Sequence, residues 1–421
     1  MRVEVITIGD ELLLGFVVDT NAAVLARELA AVGAEIVRRT TVPDDASAIG
    51  EVVRDALNRT GAVITTGGLG PTSDDLTKPA LAALFGREMR LDEAILAGIE
   101  ERFRRHGFTG PLPPGNRQQA LIPEGARILH NDHGTAPGIW LEDDHGRWVA
   151  MLPGVPREMR GMLTDTLLPM LHRRVGEDPP LVLSRTIRTT GIGESALAAL
   201  LGEYAAGFPG LPLAYNPKWA GTDLRLTSVG RPRGEARRIL DEAARKLYDK
   251  AGRYIYGEAD VDLAAVVLDL ARAQSLTIGV AESCTGGMLG ARLTAIPGSS
   301  EVFLGGVIAY HNDVKVRLLT IPTRTIAQAG AVSEETATLM AAGACAATGS
   351  DIGVAITGVA GPGGGTPEKP VGLAWIAITT GGATSARRSV YVGDREEIRL
   401  RVTQAALDLV RRQLQADAHG R

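Results

Sequence analysis

Short apolar runs alternate with amphipathic stretches at the start of the chain. The runs VEVITIG, EIVRRTTV and AVITT are rich in β-branched residues, and NAAVLARELAAVG and SAIGEVVRDALNRTG carry apolar residues at helical spacing. Gly33 is expected to end the first of these helices, and Ser47 to cap the second. This βαβαβ order predicts a doubly wound parallel sheet, in which ligands bind beyond the carboxyl ends of the strands.

The pattern changes after an apolar helix predicted at about residues 157–171 and the linker GEDPP. The segments LVLSRTIRTTG, TDLRLTSVG and RYIYGE then predict strands, and GESALAALLGEYA and GEARRILDEAARKLYDKAG predict helices. Together they indicate a small α+β module. Its Arg and Lys residues favour a solvated helix face, and a nucleic-acid surface is the alternative.

A third region again alternates helices with strands. DLAAVVLDLARAQ predicts a helix, and LTIGVA, EVFLGGVIAY and DIGVAITG predict strands that lead into loops. SEETATLMAAGACAATG predicts a helix that Ser333 caps and Gly349 ends. We therefore expect an α/β protein in which two α/β ligand-binding domains, 1–175 and 259–421, are joined by a small α+β module at 176–258.

Composition narrows the class of protein. The chain has 421 residues, 45% of them apolar, and a formal net charge of −4 with both signs interspersed, which argues against a protein that coats DNA. Cys284 and Cys345 are the two cysteines, too few for a zinc-binding spacing or a disulfide framework. No signal peptide and no apolar run of about 20 residues are seen. These features predict a soluble cytoplasmic protein without a membrane segment.

The loop TTGGLGPTSDDLTKPA combines bare backbone with paired carboxylates. Its glycines allow backbone N–H groups to approach an anion such as phosphate, and its hydroxyl groups add donors. The candidate substrate-binding residues are Gly67, Gly68, Gly70, Thr72 and Ser73. Asp74 and Asp75 fit this loop if a divalent cation lies between carboxylate and phosphate, or if one of them activates water. For either aspartate alone, capping of the next helix is the alternative.

A second candidate site lies in GVAESCTGGMLG, between a predicted strand and a predicted helix. Gly286 and Gly287 keep this turn open, and N–H groups at a helix N-terminus can stabilise an oxyanion or hold a phosphate. Ser283 is a candidate nucleophile if a base lies near it, and otherwise a helix cap. Cys284 is intrinsically the better nucleophile, but a cysteine in such a turn is often simply packed.

The motifs of both sites resemble the competence/damage-inducible protein A (CinA) family over nearly the whole chain. IGDELLLG, DTN, TTGGLGPTSDDLTKPA and LPGVPREM are similar to its N-terminal domain. AESCTGG, GGVIAYHNDVK, GAVSEETA, AITGVAGPGGGTPEKPVGLAW and VGDREEIR are similar to its C-terminal domain. The two motif sets occur in the order expected for that family.

For the N-terminal domain, the resemblance implies a fold like that of molybdopterin-binding domains. It also implies metal-dependent hydrolysis of ADP-ribose to AMP and ribose 5-phosphate, with Co²⁺ or Mg²⁺ as cofactor. Asp44 and Asp75 match two active-site aspartates of the wider superfamily, and Asp74 and Asp75 are the expected metal ligands. Glu11 and Asn21 are further candidates near strand ends, with helix capping or loop packing as the alternative.

For the C-terminal domain, the resemblance implies a nicotinamide mononucleotide (NMN) deamidase that needs no metal. Ser283 matches its nucleophile, and Tyr310 and Lys315 match the residues that assist it. Burial and nearby positive charge would lower the pKa of a lysine enough to make it a base. The loop that begins at Thr357 and Gly358 is expected to offer backbone donors to the substrate phosphate, and Arg395 a positive charge; these three are candidate substrate-binding residues.

Expected partners are NMN and ADP-ribose, with no membrane and no direct contact to nucleic acid, and the resemblance implies a homodimer. Two alternatives to this pair of hydrolases stay open. The first is a molybdopterin-like ligand-binding protein without hydrolysis. The second is a non-enzymatic partner in DNA uptake or repair, for which strongly salt-dependent DNA binding would be the sign.

Overall fold

The structure is a computed structural model that describes residues 1–176 and 179–419. Glu177 and Asp178, inside the expected linker GEDPP, lie outside the described residues. The chain forms two compact units. The first comprises Met1–Leu183 and Ser228–Arg238, and the second comprises Ser184–Thr227 and Ile239–Arg421. In the described part of the chain, no helix has both the length and the apolar character needed to cross a membrane.

The first part of the chain is an α/β fold, as the alternating pattern predicts. Its strands are β1 (Arg2–Ile8), β2 (Glu35–Val42), β3 (Ala62–Thr66), β4 (Met89–Leu91), β5 (Leu121–Pro123), β6 (Arg127–Leu129), β7 (Gly138–Glu142) and β8 (Trp148–Leu152). Its helices are α1 (Asp10–Leu13), α2 (Thr20–Ala30), α3 (Ala46–Thr60), α4 (Thr77–Leu84), α5 (Glu93–Arg105), α6 (Pro114–Gln119), α7 (Pro156–Met162) and α8 (Leu168–Val175).

Six of these strands form one sheet in the order β2-β1-β3-β8-β7-β6. The first four are parallel, and β7 and β6 add antiparallel pairs at one side. Alternate residues of β1 enter apolar cores on opposite faces, with Val3 and Val5 on one face and Ile6 and Ile8 on the other. A sheet covered on both faces explains why its strands are apolar runs.

Local details of this region differ from the sequence prediction at two helix ends. Helix α3 begins at Ala46, and its cap is the carboxylate of Asp45, which accepts from the N–H of Ala48 at 2.9 Å; Ser47 lies inside the helix. Helix α2 ends at Ala30 rather than at Gly33, which follows in a turn with φ +80°.

The helix expected at about 157–171 is broken by a π-helical turn at Leu163–Leu167 and resumes to Val175. Pro169 explains the break, because it has no N–H to donate to the carbonyl four residues earlier.

The middle of the chain contains more strands than its sequence pattern predicts. It consists of β9 (Leu181–Thr189), α9 (Glu194–Leu201), β10 (Gly207–Phe208), β11 (Leu211–Lys218), β12 (Gly221–Arg231), α10 (Arg233–Ala251) and β13 (Ile255–Glu258). The strands form a sheet in the order β10-β11-β12-β9-β13. Strand β11, which contains two prolines, was not predicted; it pairs antiparallel with β12 from Leu213 to Lys218.

The last part of the chain is a second α/β fold. Its elements are α11 (Leu263–Ala273), β14 (Ile278–Glu282), α12 (Met288–Thr294), β15 (Phe303–Ile308), α13 (Asn312–Leu319), α14 (Thr323–Ala329), α15 (Glu334–Thr348), β16 (Ile352–Gly358), β17 (Leu373–Thr380), β18 (Ala383–Val390) and α16 (Arg395–His419). The sheet order is β15-β14-β16-β17-β18, with the first three strands parallel and the last two antiparallel. Ser333 caps α15, and Gly349 follows its end in the left-handed conformation, as predicted.

Candidate active sites

The residues of the first candidate site follow the carboxyl ends of parallel strands. Gly9 to Glu11 follow β1, Asp44 follows β2, and the glycine loop that begins at Gly67 follows β3. These strands are paired in register, so their ends meet at one edge of the sheet. The sequence prediction placed the loop at this edge, and the strand register agrees.

The glycine loop is folded around one of its own carboxylates. Asp75 accepts hydrogen bonds from the N–H of Gly70 at 2.6 Å, the N–H of Thr72 at 2.8 Å and the hydroxyl of Thr72 at 2.5 Å. The N–H of Gly67 donates to the carbonyl of Leu152 at 3.1 Å. These backbone donors are therefore engaged within the protein, and they do not form the free phosphate nest that the sequence suggested.

The glycines of this loop are required by close packing. A Cβ at Gly67 would lie 2.2 Å from the carbonyl oxygen of Ile8, and a Cβ at Gly68 would lie 2.2 Å from the hydroxyl of Thr77. Both residues also have positive φ, +113° and +65°. Neighbouring atoms of the protein, rather than an approaching ligand, account for the absence of side chains here.

Asp44 lies among other carboxylates. Its Oδ2 accepts from the N–H of Asp10 at 3.0 Å. Burial raises the pKa of Asp44, and the negative charges of Asp10, Glu11 and Asp74 raise it further. Asp74 therefore belongs to the electrostatic surroundings of Asp44, whereas the carboxylate of Asp75 is turned into its own loop.

The acidic side chains do not form a metal cage by themselves. Within residues 1–176 and 179–419, no three His, Cys, Asp or Glu side chains are grouped so that they could hold a metal ion. Mg²⁺ is often bound by one or two carboxylates together with substrate phosphates. The crowding around Asp44 fits that mode, because a cation would offset the mutual repulsion of the carboxylates.

Asn21 lies buried at the same edge of the sheet, where its amide reaches two segments. Its Nδ2 donates to the carbonyl of Gly154 at 2.7 Å and to the hydroxyl of Thr66 at 3.2 Å. Among the described residues, its Oδ1 is buried without a hydrogen-bond partner. Asn21 thus holds the strand ends together and keeps one hydrogen-bond acceptor unused.

Two other candidates of this region are placed differently. The carboxylate of Glu11 packs against Gly9, and Ser73 is exposed.

Lys78 is a residue of this region that the sequence reasoning left without a role. It is buried, and its Nζ donates to the carbonyls of Gln118 at 2.7 Å and Gln119 at 3.0 Å. Burial lowers its pKa to about 8, while the charge of Asp75 acts in the opposite direction. In the sequence, the position of this lysine between TSDDLT and an apolar helix was the signal that could have identified it.

The second candidate site also lies at the carboxyl ends of parallel strands. Ser283 follows β14, Tyr310 follows β15, and Thr357 and Gly358 end β16. Lys315 is in α13, which begins shortly after β15. The alignment of β14 with both neighbouring strands brings these segments to one edge of the sheet.

Ser283 and Lys315 are in contact. The Nζ of Lys315 lies 3.1 Å from the Oγ of Ser283, and it donates to the carbonyls of Ala309 at 2.7 Å and Tyr310 at 3.2 Å. Lys315 is 1% exposed, and burial lowers its pKa. A neutral amine has two N–H donors for the two carbonyls and one lone pair for the hydroxyl proton, so this arrangement suits a serine with a lysine base.

Tyr310 forms hydrogen bonds through both its backbone carbonyl and its side-chain hydroxyl. Its carbonyl accepts from Lys315, whereas its side chain is 62% exposed and its hydroxyl accepts from Nη2 of Arg395 at 3.2 Å. Nη1 of Arg395 donates to the carbonyl of Gly361 at 2.5 Å. The phenol is therefore directed to Arg395 at the mouth of the site, and the structure brings these two predicted residues together.

A carboxylate that the sequence did not single out binds the backbone N–H groups of the turn after Ser283. Glu282, 1% exposed, accepts from the N–H of Gly287 at 3.0 Å, of Leu289 at 3.1 Å and of Gly290 at 2.8 Å. These are the N–H groups at the start of α12 that were expected to hold an oxyanion or phosphate. A substrate anion cannot use them while the carboxylate is there, so that expectation is wrong for Gly287.

The turn and its neighbour strand engage further groups internally. The N–H of Gly286 donates to the carbonyl of Ser283 at 3.1 Å. The hydroxyl of Thr357 donates to the carbonyl of Ala331 at 2.7 Å, and Gly358 is paired with β17. Thr357 and Gly358 are therefore part of the sheet, and the loop that follows them is the segment open to a ligand.

Cys284 is poorly suited to be the nucleophile. It is 8% exposed, and burial raises the pKa of its thiol to about 11. A thiol with so high a pKa forms little thiolate at neutral pH. Of the two adjacent candidates, Ser283 is the one in contact with an amine.

Three family models match the chain in sequence order. The model described as "Probable molybdopterin binding domain" matches residues 4–173, "Damage-inducible protein CinA KH domain" matches 184–257, and "CinA C-terminal domain" matches 260–414.

Two curated relatives match almost the whole chain, and a solved structure matches part of it. A CinA-like protein of Gemmatimonas aurantiaca is 59% identical over 99% of this chain and 97% of its own length. A CinA-like protein of Dictyoglomus thermophilum is 41% identical over 98% of this chain and 99% of its own length. The crystal structure of a competence/damage inducible protein from Agrobacterium tumefaciens is 40% identical, covers 36% of this chain and 93% of its own, and has a TM-score of 0.35.

Proposed function

The chain belongs to the CinA family of competence/damage-inducible proteins, and from this membership and the Ser283–Lys315 contact we propose that it deamidates nicotinamide mononucleotide. The products would be nicotinate mononucleotide and ammonia. The observation that carries the proposal is a buried lysine whose Nζ lies 3.1 Å from a serine hydroxyl at a strand end. Burial favours the neutral amine, which is the form that a base requires.

In the first half of the proposed reaction, Ser283 attacks the amide carbon of the substrate. Lys315 takes the proton of the hydroxyl as the bond from Oγ to carbon forms, and then gives a proton to the departing nitrogen as the carbon–nitrogen bond breaks. Ammonia leaves, and the nicotinoyl group remains as an ester on Ser283. The positively charged pyridinium ring withdraws electrons from the amide carbon and favours the attack.

In the second half, water replaces ammonia. Lys315 removes a proton from water, the hydroxide oxygen attacks the ester carbon, and the bond to Oγ breaks as the proton returns to Ser283. One water is consumed, and the acid that forms passes its proton to ammonia, so each turnover yields one carboxylate and one ammonium ion. Serine and lysine provide every proton transfer in this scheme, so it calls for no metal.

The mononucleotide would enter from the side of Arg395. A cavity of about 620 Å³ lies there, lined by Ala360, Pro362, Val371, Gly393, Asp394, Arg395 and Glu396. This volume is in the range of small-ligand sites. Arg395 is hydrogen-bonded to both Tyr310 and Gly361, and it would be the cation that pairs with the substrate phosphate.

Ammonia release from NMN tests this function. Ser283→Ala is expected to lower kcat by at least about 10³-fold, because the covalent step is lost. Ser300→Ala, which changes an exposed serine of the same unit, is the matched control and should behave as wild type. Equal turnover by the Ser283→Ala protein would refute the proposal.

A second activity is favoured by the carboxylates around Asp44. We propose that this site hydrolyses ADP-ribose to AMP and ribose 5-phosphate with Co²⁺ or Mg²⁺. Asp44 and Asp74 would hold the cation, which would supply charge for the pyrophosphate and lower the pKa of an attacking water. Asp75 would shape the loop, and the unused acceptor of Asn21 would suit a ribose hydroxyl.

Incubation of the protein with ADP-ribose and either cation, followed by detection of AMP, tests the second activity. AMP formation that depends on Asp44 supports it. Binding of a pterin without AMP formation would favour a molybdopterin-like binding protein. DNA binding that falls steeply with salt would favour a non-enzymatic role in DNA uptake or repair.

A further inference from the structure

We propose that Glu282 is the residue that positions Ser283 for attack. Its carboxylate holds the turn after β14 in the shape that keeps the Ser283 hydroxyl against Lys315. The inference rests on the proposed deamidase, because Ser283 is a nucleophile only there. Glu282 itself is not in contact with the reacting atoms in this scheme, so its effect on the reaction passes through the backbone.

The main-chain groups of Glu282 fix one end of the turn. Residue 282 is paired with Ile308 on one side and Ile356 on the other. Its carbonyl accepts from the N–H of Ala309 at 2.7 Å, and the N–H of Ser283 donates to the carbonyl of Ile356 at 2.9 Å. The chain therefore enters the turn from a strand held on both sides.

The side chain of Glu282 fixes the other end of the turn. One oxygen accepts from Gly287 and Leu289, and the other accepts from Gly290, at 2.8 to 3.1 Å. Gly286 and Gly287 have φ of +60° and +95°, a backbone that other residues rarely adopt. Residues 283–287 thus bridge two anchors that belong to one residue, and this leaves Ser283 little freedom to move.

A carboxylate at a helix start can also act only as a stabilising cap. Helix α12 has a separate source of stability, because Leu289 and Leu293 are each 1% exposed in the core. A purely capping role predicts a lower melting temperature and an unchanged reaction per folded molecule. A positioning role predicts a lower kcat in a protein that remains folded, and these outcomes can be measured separately.

The test is Glu282→Gln in the full chain, with NMN as substrate. Glutamine has the same shape, but its NH₂ group faces an N–H donor and cannot accept from it. We expect kcat to fall about 10²-fold, as for a small displacement of a reacting group, while KM stays within about threefold. The midpoint of the pH profile should not move, because the base is still Lys315.

Asp351→Asn is the matched control. Asp351 accepts from the N–H and the hydroxyl of Thr277 at the amino ends of the strands, away from the reacting groups. Its loss removes a backbone-binding carboxylate from the same sheet and should leave kcat unchanged. If Glu282→Gln lowers the melting temperature but, like Asp351→Asn, leaves kcat per folded molecule unchanged, Glu282 only stabilises the fold and the inference is overturned.

Covalent labelling of Ser283 separates this inference from the proposed substrate. A small fluorophosphonate should label wild-type Ser283 about 10²-fold faster than Glu282→Gln, as measured by intact mass. Such a difference supports the inference even if the wild type does not deamidate NMN, a result that would refute only the proposed function. Equal labelling rates would overturn the inference.

Amide hydrogen exchange in the wild-type protein tests the inference even if the Glu282→Gln variant does not fold. The N–H groups of Gly287, Leu289 and Gly290 should exchange as slowly as those inside β14, because the carboxylate holds them. Exchange at the rate of an open loop would show that the carboxylate does not fix the turn, and would overturn the inference.

Discussion

The two candidate sites are built in the same way at their turns but present different groups to a substrate. Both lie at the carboxyl ends of parallel strands, and in both a side chain of the protein takes backbone N–H groups that a ligand anion would otherwise use. Asp75 does this with Gly70 and Thr72, and Glu282 does it at the start of α12. The glycine-rich turns are thus shaped from within the protein.

The difference lies in what each turn presents to a substrate. Beyond Glu282, a hydroxyl and a buried amine are already in contact, and each supplies what the other lacks. Beyond Asp75, Asp44 lies among carboxylates of the same sign. The second site therefore has a complete set of groups for proton transfer. In the reaction proposed for the first site, positive charge from outside the chain would be needed before a pyrophosphate could approach.

The largest effect is expected for Lys315→Arg, which keeps N–H donors at this position but removes the base. An arginine cannot give up its proton at accessible pH, so NMN deamidation should fall by about 10³-fold or more. Hydrolysis of ADP-ribose should not change, because the first site does not use this residue. Lys246→Met, on the surface of α10, is the control in the ammonia-release assay. Full activity of Lys315→Arg would remove the distinction between the sites.

Asp44→Asn should impair the reaction proposed for the first site and spare that of the second. It removes one of the charges that would hold the cation, so AMP formation from ADP-ribose should fall by about 10²-fold while NMN deamidation stays unchanged. The neighbouring Asp45 caps α3, and Asp45→Asn is the matched control. Loss of AMP formation to the same extent in both variants would show that a general disturbance of the segment, rather than the acidic group, is responsible.

The pH dependence of deamidation sharpens the role assigned to Lys315. The amine accepts a proton only when it is neutral, so kcat/KM should rise about tenfold per pH unit below its pKa and level off above it. Burial lowers that pKa from 10.5, and the plateau should therefore begin below pH 10.5. A rise centred at or above pH 10.5 in a steady-state pH series would contradict a buried base.

The smallest effect is expected for Cys284→Ser. The thiol is buried and its pKa is raised to about 11, so a thiolate has no part in the scheme. Deamidation should stay within about threefold of wild type in the ammonia assay. A loss as large as that of Ser283→Ala would move the nucleophile to the neighbouring residue.

The sequence pattern was sufficient for the parallel strands and for the position of both turns. Strands β1, β3, β14 and β16 are apolar runs because both faces are covered, and each is followed by a glycine-rich or polar turn. The antiparallel strands β7 and β17 could not be assigned to their partners in this way. Their residues are equally buried, and periodicity does not record strand direction.

The hydrophobic pattern does not show which functional groups come into contact. Ser283 and Lys315 are 32 residues apart in the chain, and only the register of β14 with β15 brings them within 3.1 Å. The roles of Asp75 and Glu282 escaped sequence reasoning for a different reason. A carboxylate of the chain and a phosphate of a ligand suit the same backbone N–H groups, and the sequence does not show which of them is bound there.

The most direct test of the contrast is to measure both reactions in one preparation after removal of metal with a chelator. NMN deamidation should continue at its full rate, whereas AMP formation from ADP-ribose should disappear and return on addition of Co²⁺ or Mg²⁺. Loss of deamidation on chelation, or AMP formation that persists without metal, would contradict the account.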